Sequence, residues 1–382
     1  EGSYSSDFVR EFRTFTEELR EFFSASSLAK QLVKLKASFS EEDCAMIDTF
    51  LDAKRAVDSD NGESKPLELL DLMRNTTHLR TVVAEALSSG LRNDANDRSI
   101  AMRQKYRMAE IALENFAFTL ASRSINQLEQ SFEHGESWGI LTSLMQESML
   151  HLGLDKYMAG ECKSIANEFM SWSNLDLRGD RTSALKLKAT LERTRRLLNL
   201  YRDQFIETFG ERSVVLGQAL GVPRHNLDMY AESETRASLV FQTAKLCSLA
   251  LANVRDVLDL SPWDALVSGS GTGTLIAIDT IDPAVIPQTE DAKILMVKRA
   301  TGDEEVSAAG TNIQGVVLCQ DLPHLSHLAI RARQEGIVLA TCTSESDLEA
   351  AKKLVGHHVT LNATQESVDL REQERSAMAT SS

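Results

Sequence analysis

Two histidines and two arginines stand close together in Asp321-Leu-Pro-His-Leu-Ser-His-Leu-Ala-Ile-Arg-Ala-Arg333. An apolar strand pattern over residues 315–319 ends just before them, and a helical pattern follows. His327 should stand in the first turn of that helix, among free backbone N–H groups and at the positive end of the macrodipole. Such a place suits an imidazole that must carry an anion such as a phosphoryl group. A neutral imidazole nitrogen can attack phosphorus, and the resulting phosphoramidate can pass the group on. Ser326 can cap the helix or donate to a bound anion. Arg331, four residues on, shares the face of His327, whereas Arg333, six residues on, lies well round from it. Either guanidinium could balance a phosphate. Ala329 and Ala332 leave room for another surface to approach. His324, in the loop after Pro323, is structural, orients the loop, or takes a direct part. The competing reading of His327 is a surface or capping histidine at a loop–helix junction; its serine and arginine neighbours argue for chemistry.

Other motifs carry less. Gly269-Ser-Gly-Thr-Gly273 lacks the Lys-Ser/Thr pair and following helix of a phosphate-binding loop, so it is expected to be a flexible turn before a strand at Leu275. The basic residues around 193–196 and the acidic run at 303–305 are expected to be solvated. Trp138, Trp172 and Trp263 are single tryptophans of the kind that fill cores. The five cysteines are scattered, with no metal-ligand spacing, which argues against a zinc site and for a reducing compartment. No Ser-His-Asp or Cys-His arrangement follows from spacing alone.

The elements that must position these residues fall into two textures. Residues 1–258 of the 382 read as nearly continuous helix with short breaks. Ser5-Ser6 can start a helix with Phe12, Phe15, Leu19 and Phe22 on one stripe, and Ser40-Glu-Glu-Asp reads as a capping start. Residues 56–66 are polar and turn-rich. Helical patterns resume at 67–90, 97–130, 136–151 and 158–173. Over 182–217, Leu187, Leu191, Leu198, Tyr201, Phe205 and Phe209 share a face while the basic residues fall mostly elsewhere. Another helix is expected through 232–236 to about 258. These predict an elongated helical bundle or stack. From Ser261-Pro-Trp263 onward, strands are expected at 275–281, 293–297, 313–319, 337–342 and 358–361, with helices near 325–335 and 345–355. The fold class is therefore multidomain, α plus α/β, with a β/β/α-type module over 259–372 and a tail or linker over 373–382.

A net charge of -15 argues against general nucleic-acid binding. No apolar run approaches the length needed to span a bilayer, and no targeting peptide is visible. The chain begins with Glu1 and not Met, which points to a fragment or processed form.

The Ser-His pair with Ala332 and Arg333 resembles the phosphohistidine domain of dikinases that use a swivelling domain. Leu325 in place of threonine, and Leu322-Pro323 in place of an upstream glycine pair, depart from the pyruvate phosphate dikinases. They resemble instead the α-glucan water dikinase family, whose pattern is Leu-Ser-His followed by Arg-Ala-Arg. Within it, Leu322-Pro-His-Leu-Ser-His-Leu-x-x-Arg-Ala-Arg-Gln-Glu335 is most similar to the phosphoglucan, water dikinases. The helical stretches at 91–95, 101–105, 184–191 and 231–242 are similar to segments that precede the phosphohistidine domain. Members acting on unphosphorylated starch carry a Cys-x-x-x-Cys pair; here Cys342 is present, but its partner position holds Val338.

The resemblance implies that an ATP-grasp domain, holding ATP and Mg2+, splits ATP. The β-phosphate goes to His327 and the γ-phosphate to water, and the swivelling domain then delivers its group to a glucosyl hydroxyl of phosphorylated α-glucan, at C3. Ser326, Arg331, Arg333 and His324 would support the phosphate. No ATP-grasp domain is recognisable here, so no resident cofactor or metal is expected and the chain alone should not turn over ATP. Nucleic acid and membrane are not expected partners. The compartment would be the plastid stroma in a plant or green alga, otherwise the cytoplasm. The alternatives are a glucan water dikinase, a pyruvate-type carrier, or a helical glucan-docking scaffold without catalysis.

Overall fold

The computed structural model describes residues 27–59, 65–89, 97–131, 138–172 and 180–373, apart from several loop positions between 283 and 311 and residues 365–366. The expected first helix, the stretch 91–95 and residues 374–382 lie outside the described residues. Two compact units are present: Glu1–Leu175 with Ala237–Thr243, and Asp176–Arg236 with Ala244–Ser382.

The first unit is helical: α1 (Ser27–Leu35), α2 (Glu41–Ser59), α3 (Pro66–Ser89), α4 (Asp97–Ser131), α5 (Trp138–Leu152) and α6 (Ala159–Met170). The Ser40 hydroxyl accepts from the amide of Asp43 at 3.1 Å, the expected start of α2. That helix runs on to Ser59, so the first residues of the expected loop are helical. Leu69, Met73, Leu113, Leu120, Leu144 and Phe169 are among its fully buried side chains. Arg80 is buried with them and meets Glu114 and Asp155.

The second unit begins with α7 (Arg181–Ala219), capped by the Asp180 side chain on the amide of Thr182. It includes α8 (Arg224–Arg236) and most of α9 (Leu239–Leu258). The single helix expected from 232 to 258 is thus two, interrupted at Ala237–Ser238. Helix gives way to sheet between Leu258 and Trp263, where the sequence changes texture.

Seven strands follow: β1 (Trp263–Val267), β2 (Gly269–Ile278), β3 (Lys293–Val297), β4 (Ile313–Leu318), β5 (Val338–Cys342), β6 (His358–Ala363) and β7 (Val368–Glu372). They form one mixed sheet in the order β1-β5-β4-β3-β2-β6-β7. The β5-β4-β3-β2 centre is parallel, and β1, β6 and β7 add antiparallel edges. α10 (His327–Gln334) connects β4 to β5, and α11 (Glu345–Lys352) follows β5.

The side chains alternate with the strand period of two. Leu295, Val297, Val316, Leu318 and Leu339 form one core with Leu328, Ala329 and Ala332 of α10. Ile294, Met296, Val317 and Val338 form the other with Val359 and Leu361 of β6 and Ala351 of α11. α10 is therefore fixed by three buried side chains on one face of a parallel sheet.

The glycine run is a strand, contrary to the expected turn. Residues 269–274 pair with β6 in register, from Gly269 opposite Ala363 to Thr274 opposite His358. A Cβ at Gly271 would lie 2.4 Å from the Gln314 carbonyl oxygen, and one at Gly273 would lie 2.6 Å from the Ala292 carbonyl carbon. Close backbone approach, and not a phosphate or flexibility, requires these glycines. β1 and β7 were not expected from the sequence. Trp263 packs half-buried on the second core.

Candidate functional site

β4 delivers the chain to a loop in which the Ser326 amide donates to the Pro323 carbonyl at 2.9 Å. Ser326 is the N-cap of α10, with extended backbone, and its hydroxyl accepts from the amide of Ala329 at 3.3 Å. The amide of Leu328 donates to the Gly302 carbonyl at 2.9 Å. Gly302 has φ 91°, and a Cβ there would meet the Ser326 Cβ at 3.2 Å. Two first-turn amides expected to be free for an anion are thus already engaged, one by the cap and one by the 302 turn. His327 is the first residue of the helix, as expected.

Its ring is not open to solvent. His327 is 2% exposed. Nδ1 lies 3.1 Å from Oε2 of Glu232, on α8. Arg331 Nε stands 3.5 Å from the same oxygen, and Gln334 Nε2 donates to Glu232 Oε1 at 3.2 Å. His327, Arg331 and Gln334 are spaced by four and three residues, so one face of α10 converges on one buried carboxylate. The structure therefore brings His327 and Arg331 together, as the spacing suggested.

Arg333 goes elsewhere. Its Nη2 donates to the Leu266 carbonyl of β1 at 3.0 Å, and burial, with Arg202 close by, lowers its pKa to about 10. His324 is 1% exposed, with neither ring nitrogen hydrogen-bonded among the described residues. Burial first, then the guanidinium groups of Arg195 and Arg333, holds its pKa well below the ordinary histidine value, so the ring is neutral.

Beneath the helix lies a buried charge cluster. Arg195 Nη1 donates to both Asp264 carboxylate oxygens at 3.0 and 2.8 Å, and Arg255 Nη2 donates to Oδ1 at 2.7 Å. Burial alone would raise the Asp264 pKa; Arg195 and Arg255 outweigh it and hold the carboxyl below its ordinary value. Arg195 is thus buried, where a solvated basic face around 193–196 was expected, and Arg202 is buried as well. Arg195 is placed by a helix whose polar side meets β1, and Arg202 pairs with Asp203 on its own helix. Among the described residues, no group of three or more His, Cys, Asp or Glu could hold a metal ion. The five cysteines are free; Cys162, Cys247 and Cys342 are buried.

Residues 262–379, which contain the whole sheet and α10, match the family described as "Alpha-glucan water dikinase, phosphohistidine-like domain". That segment is thus similar to the phosphohistidine-like domain of the α-glucan water dikinases. The chain is similar to alpha-glucan water dikinase, chloroplastic, of Solanum tuberosum, 25% identical over 67% of this chain and 17% of that protein. It is also similar to alpha-glucan water dikinase 2 of Arabidopsis thaliana, 24% identical over 47% of this chain and 14% of that one. The Citrus reticulata chloroplastic relative is 25% identical over 72% of this chain and 18% of its own length. The chain therefore spans less than a fifth of the curated relatives it matches. No solved structure matches it.

Around His327, the sequence alone did not mark Glu232 or Asp264. Glu232 falls in a stretch whose resemblance was noted as a block, but nothing in its spacing marks that one carboxylate. It stands 95 positions before His327, and only folding brings them together.

Proposed function

We propose that His327 is the phosphoryl carrier of a dikinase. It takes the β-phosphate of ATP from a nucleotide-binding domain elsewhere in the full-length protein and passes it to a glucosyl hydroxyl of an α-glucan. The observation that carries this reading is the placement of His327 at the first position of α10, inside the phosphohistidine-like segment. Ser326 and Arg331 support it: the cap fixes the start of the helix, and the guanidinium on the same face supplies positive charge for an incoming phosphate. Arg333 and His324 serve the fold beneath the helix in this reading. ATP and Mg2+ belong to the nucleotide-binding domain, and no step here runs through the metal.

The buried ring sets one condition. His327 must leave the cover of α8 before Nε2 can meet a phosphate or a glucan, because a tetrahedral phosphoryl group needs open space around that nitrogen. Movement of the sheet module supplies that exposure.

Phosphorylated α-glucan, with transfer to C3, is the substrate favoured by Val338 and by Leu322-Pro323. The relatives are named for α-glucan without a phosphorylated qualifier, which keeps unphosphorylated α-glucan as the alternative. Two of the three relatives described are named chloroplastic, and the compartment proposed here is the plastid stroma for a plant or green-algal source, otherwise the cytoplasm.

The test is β-labelled ATP with the full-length enzyme. Acid-labile label should appear on the wild-type protein and be absent from His327→Ala; label that survives the substitution overturns the carrier assignment. Glucan prepared with and without prior phosphorylation then separates the two substrates.

A further inference from the structure

The first helical unit holds a cavity of about 480 Å3 between α3, α4 and the turn after α5, a volume in the roughly 300–1,000 Å3 range of small-molecule sites. The carrier reading does not use it. Two facing helices ordinarily fill such a space with apolar side chains. Here the lining is mostly charged, and the charges are sorted by sign.

One end is acidic. Arg80, 2% exposed, meets Glu114 at 3.3 Å, Glu110 at 3.9 Å and Asp155. Three carboxylates offer about twelve acceptor positions, whereas a guanidinium has about five N–H groups. One of those goes to the His151 carbonyl at 3.1 Å. Burial outweighs Arg80 at Glu114 and raises the pKa of its carboxyl. That end is short of hydrogen-bond donors.

The other end is basic. α3 and α4 follow one another in the chain and share the Arg80–Glu114 pair. Ser88, eight residues past Arg80, and Arg103, eleven before Glu114, therefore lie together, about 12–16 Å along the helices from that pair. Lys156 Nζ donates to the Ser88 hydroxyl at 3.1 Å. Its backbone is left-handed, with φ 64°, so a specific turn holds the ammonium there. Arg103 lines the same end, half-buried and without an ion pair among the described residues. Ile111 and Leu154 add apolar wall between the ends.

We propose that this cavity binds a phosphate ester of a hexose. Arg103 and Lys156 hold the phosphate, and Glu110, Glu114 and Asp155 accept from ring hydroxyls. A bare anion would leave the carboxylates without donors, and a neutral sugar would leave the cations without a counter-charge. The ester is a free hexose phosphate or a phosphorylated glucosyl unit of a glucan; both present the same chemistry. The site is built from first-unit residues alone and stands independently of the carrier reading.

Calorimetric titration of this chain tests it with four probes: glucose 6-phosphate, phosphorylated maltodextrin, maltose and inorganic phosphate. At least one of the two esters should bind, and maltose and inorganic phosphate should bind at least about tenfold more weakly. Arg103→Ala and Lys156→Ala should each weaken the ester by about ten- to a hundredfold, as expected for loss of one charge-assisted hydrogen bond. Arg371→Ala, an exposed charge of the second unit, and His327→Ala should bind as the wild type does. Binding of glucose 6-phosphate alone makes the source a free hexose phosphate; binding of phosphorylated maltodextrin makes it the glucan; either upholds the site. No binding of either ester, equal binding of inorganic phosphate or of maltose, or wild-type affinity in both Arg103→Ala and Lys156→Ala would overturn the proposal and leave the role of His327 untouched.

Discussion

Replacing Asp264 by Asn tests whether the buried charge cluster holds α7 and α9 to β1. Asp264 accepts from Arg195 at 3.0 and 2.8 Å and from Arg255 at 2.7 Å. The Arg195 and Arg255 side chains are only 9% and 14% exposed. Without the carboxylate, both cations depend on Glu192, whose oxygens are 3.5 and 3.6 Å away. Removing one partner of a buried ion pair costs about 3–5 kcal/mol. Asn keeps one acceptor oxygen and Glu192 remains, so the lower end, about 3 kcal/mol, is expected. With a urea slope of about 2 kcal/mol/M, the unfolding midpoint should fall by about 1.5 M. Trp263, next to the substituted residue, gives the fluorescence signal in a background with Trp138 and Trp172 replaced by Phe. Asp52→Asn, at an exposed pair with Arg55, is the control and should cost at most about 1 kcal/mol. The folded Asp264 pKa is depressed. Its contribution is therefore complete above the unfolded value of about 3.9 and is lost as pH falls through the folded one. That part of the acid limb should vanish in Asp264→Asn. A loss no larger than the control's would refute the argument.

Three further outcomes follow from the same geometry. His324→Leu should leave urea stability unchanged or raise it by about 1 kcal/mol, because it removes two buried ring nitrogens without hydrogen bonds; a clear loss would reveal an essential partner. The folded His324 pKa is lowered, so its contribution is full above the unfolded value of about 6.5 and falls as pH drops below it; the leucine variant should show a shallower decline in a urea series run from pH 7 to pH 5. Gly271→Ala should cost about 1–3 kcal/mol in thermal unfolding, since its Cβ would lie 2.4 Å from the Gln314 carbonyl oxygen. Ser326→Ala should lose about 1 kcal/mol through the missing N-cap, with slower labelling of His327 if the carrier reading holds.

Local signals were legible where local physics decides. The start of α2 at Ser40, the cap at Ser326 and the helical position of His327 follow from side chains that satisfy nearby amides. β3 and β4 announce themselves through apolar residues buried on both faces of a parallel sheet. β1 was hidden because Trp263-Asp-Ala-Leu-Val267 carries a charge in its second position, and that charge is tolerated only because Arg195, far away in the chain, and Arg255, nine residues before it, meet it. The glycine-rich half of β2 was hidden for a related reason: glycine disfavours a strand in isolation, and only the neighbouring backbone at Gln314 and Ala292 requires it.

The sequence by itself determined which side chain is the candidate nucleophile, because Leu-Ser-His with arginine four residues on is a local pattern that a helix N-terminus converts directly into geometry. Tertiary structure alone decided that Glu232 faces that ring, that Arg195 is buried instead of solvated, and that Arg333 turns to β1. These are pairings of charges far apart in the chain, and their partners are chosen by which faces pack, a choice no local spacing records.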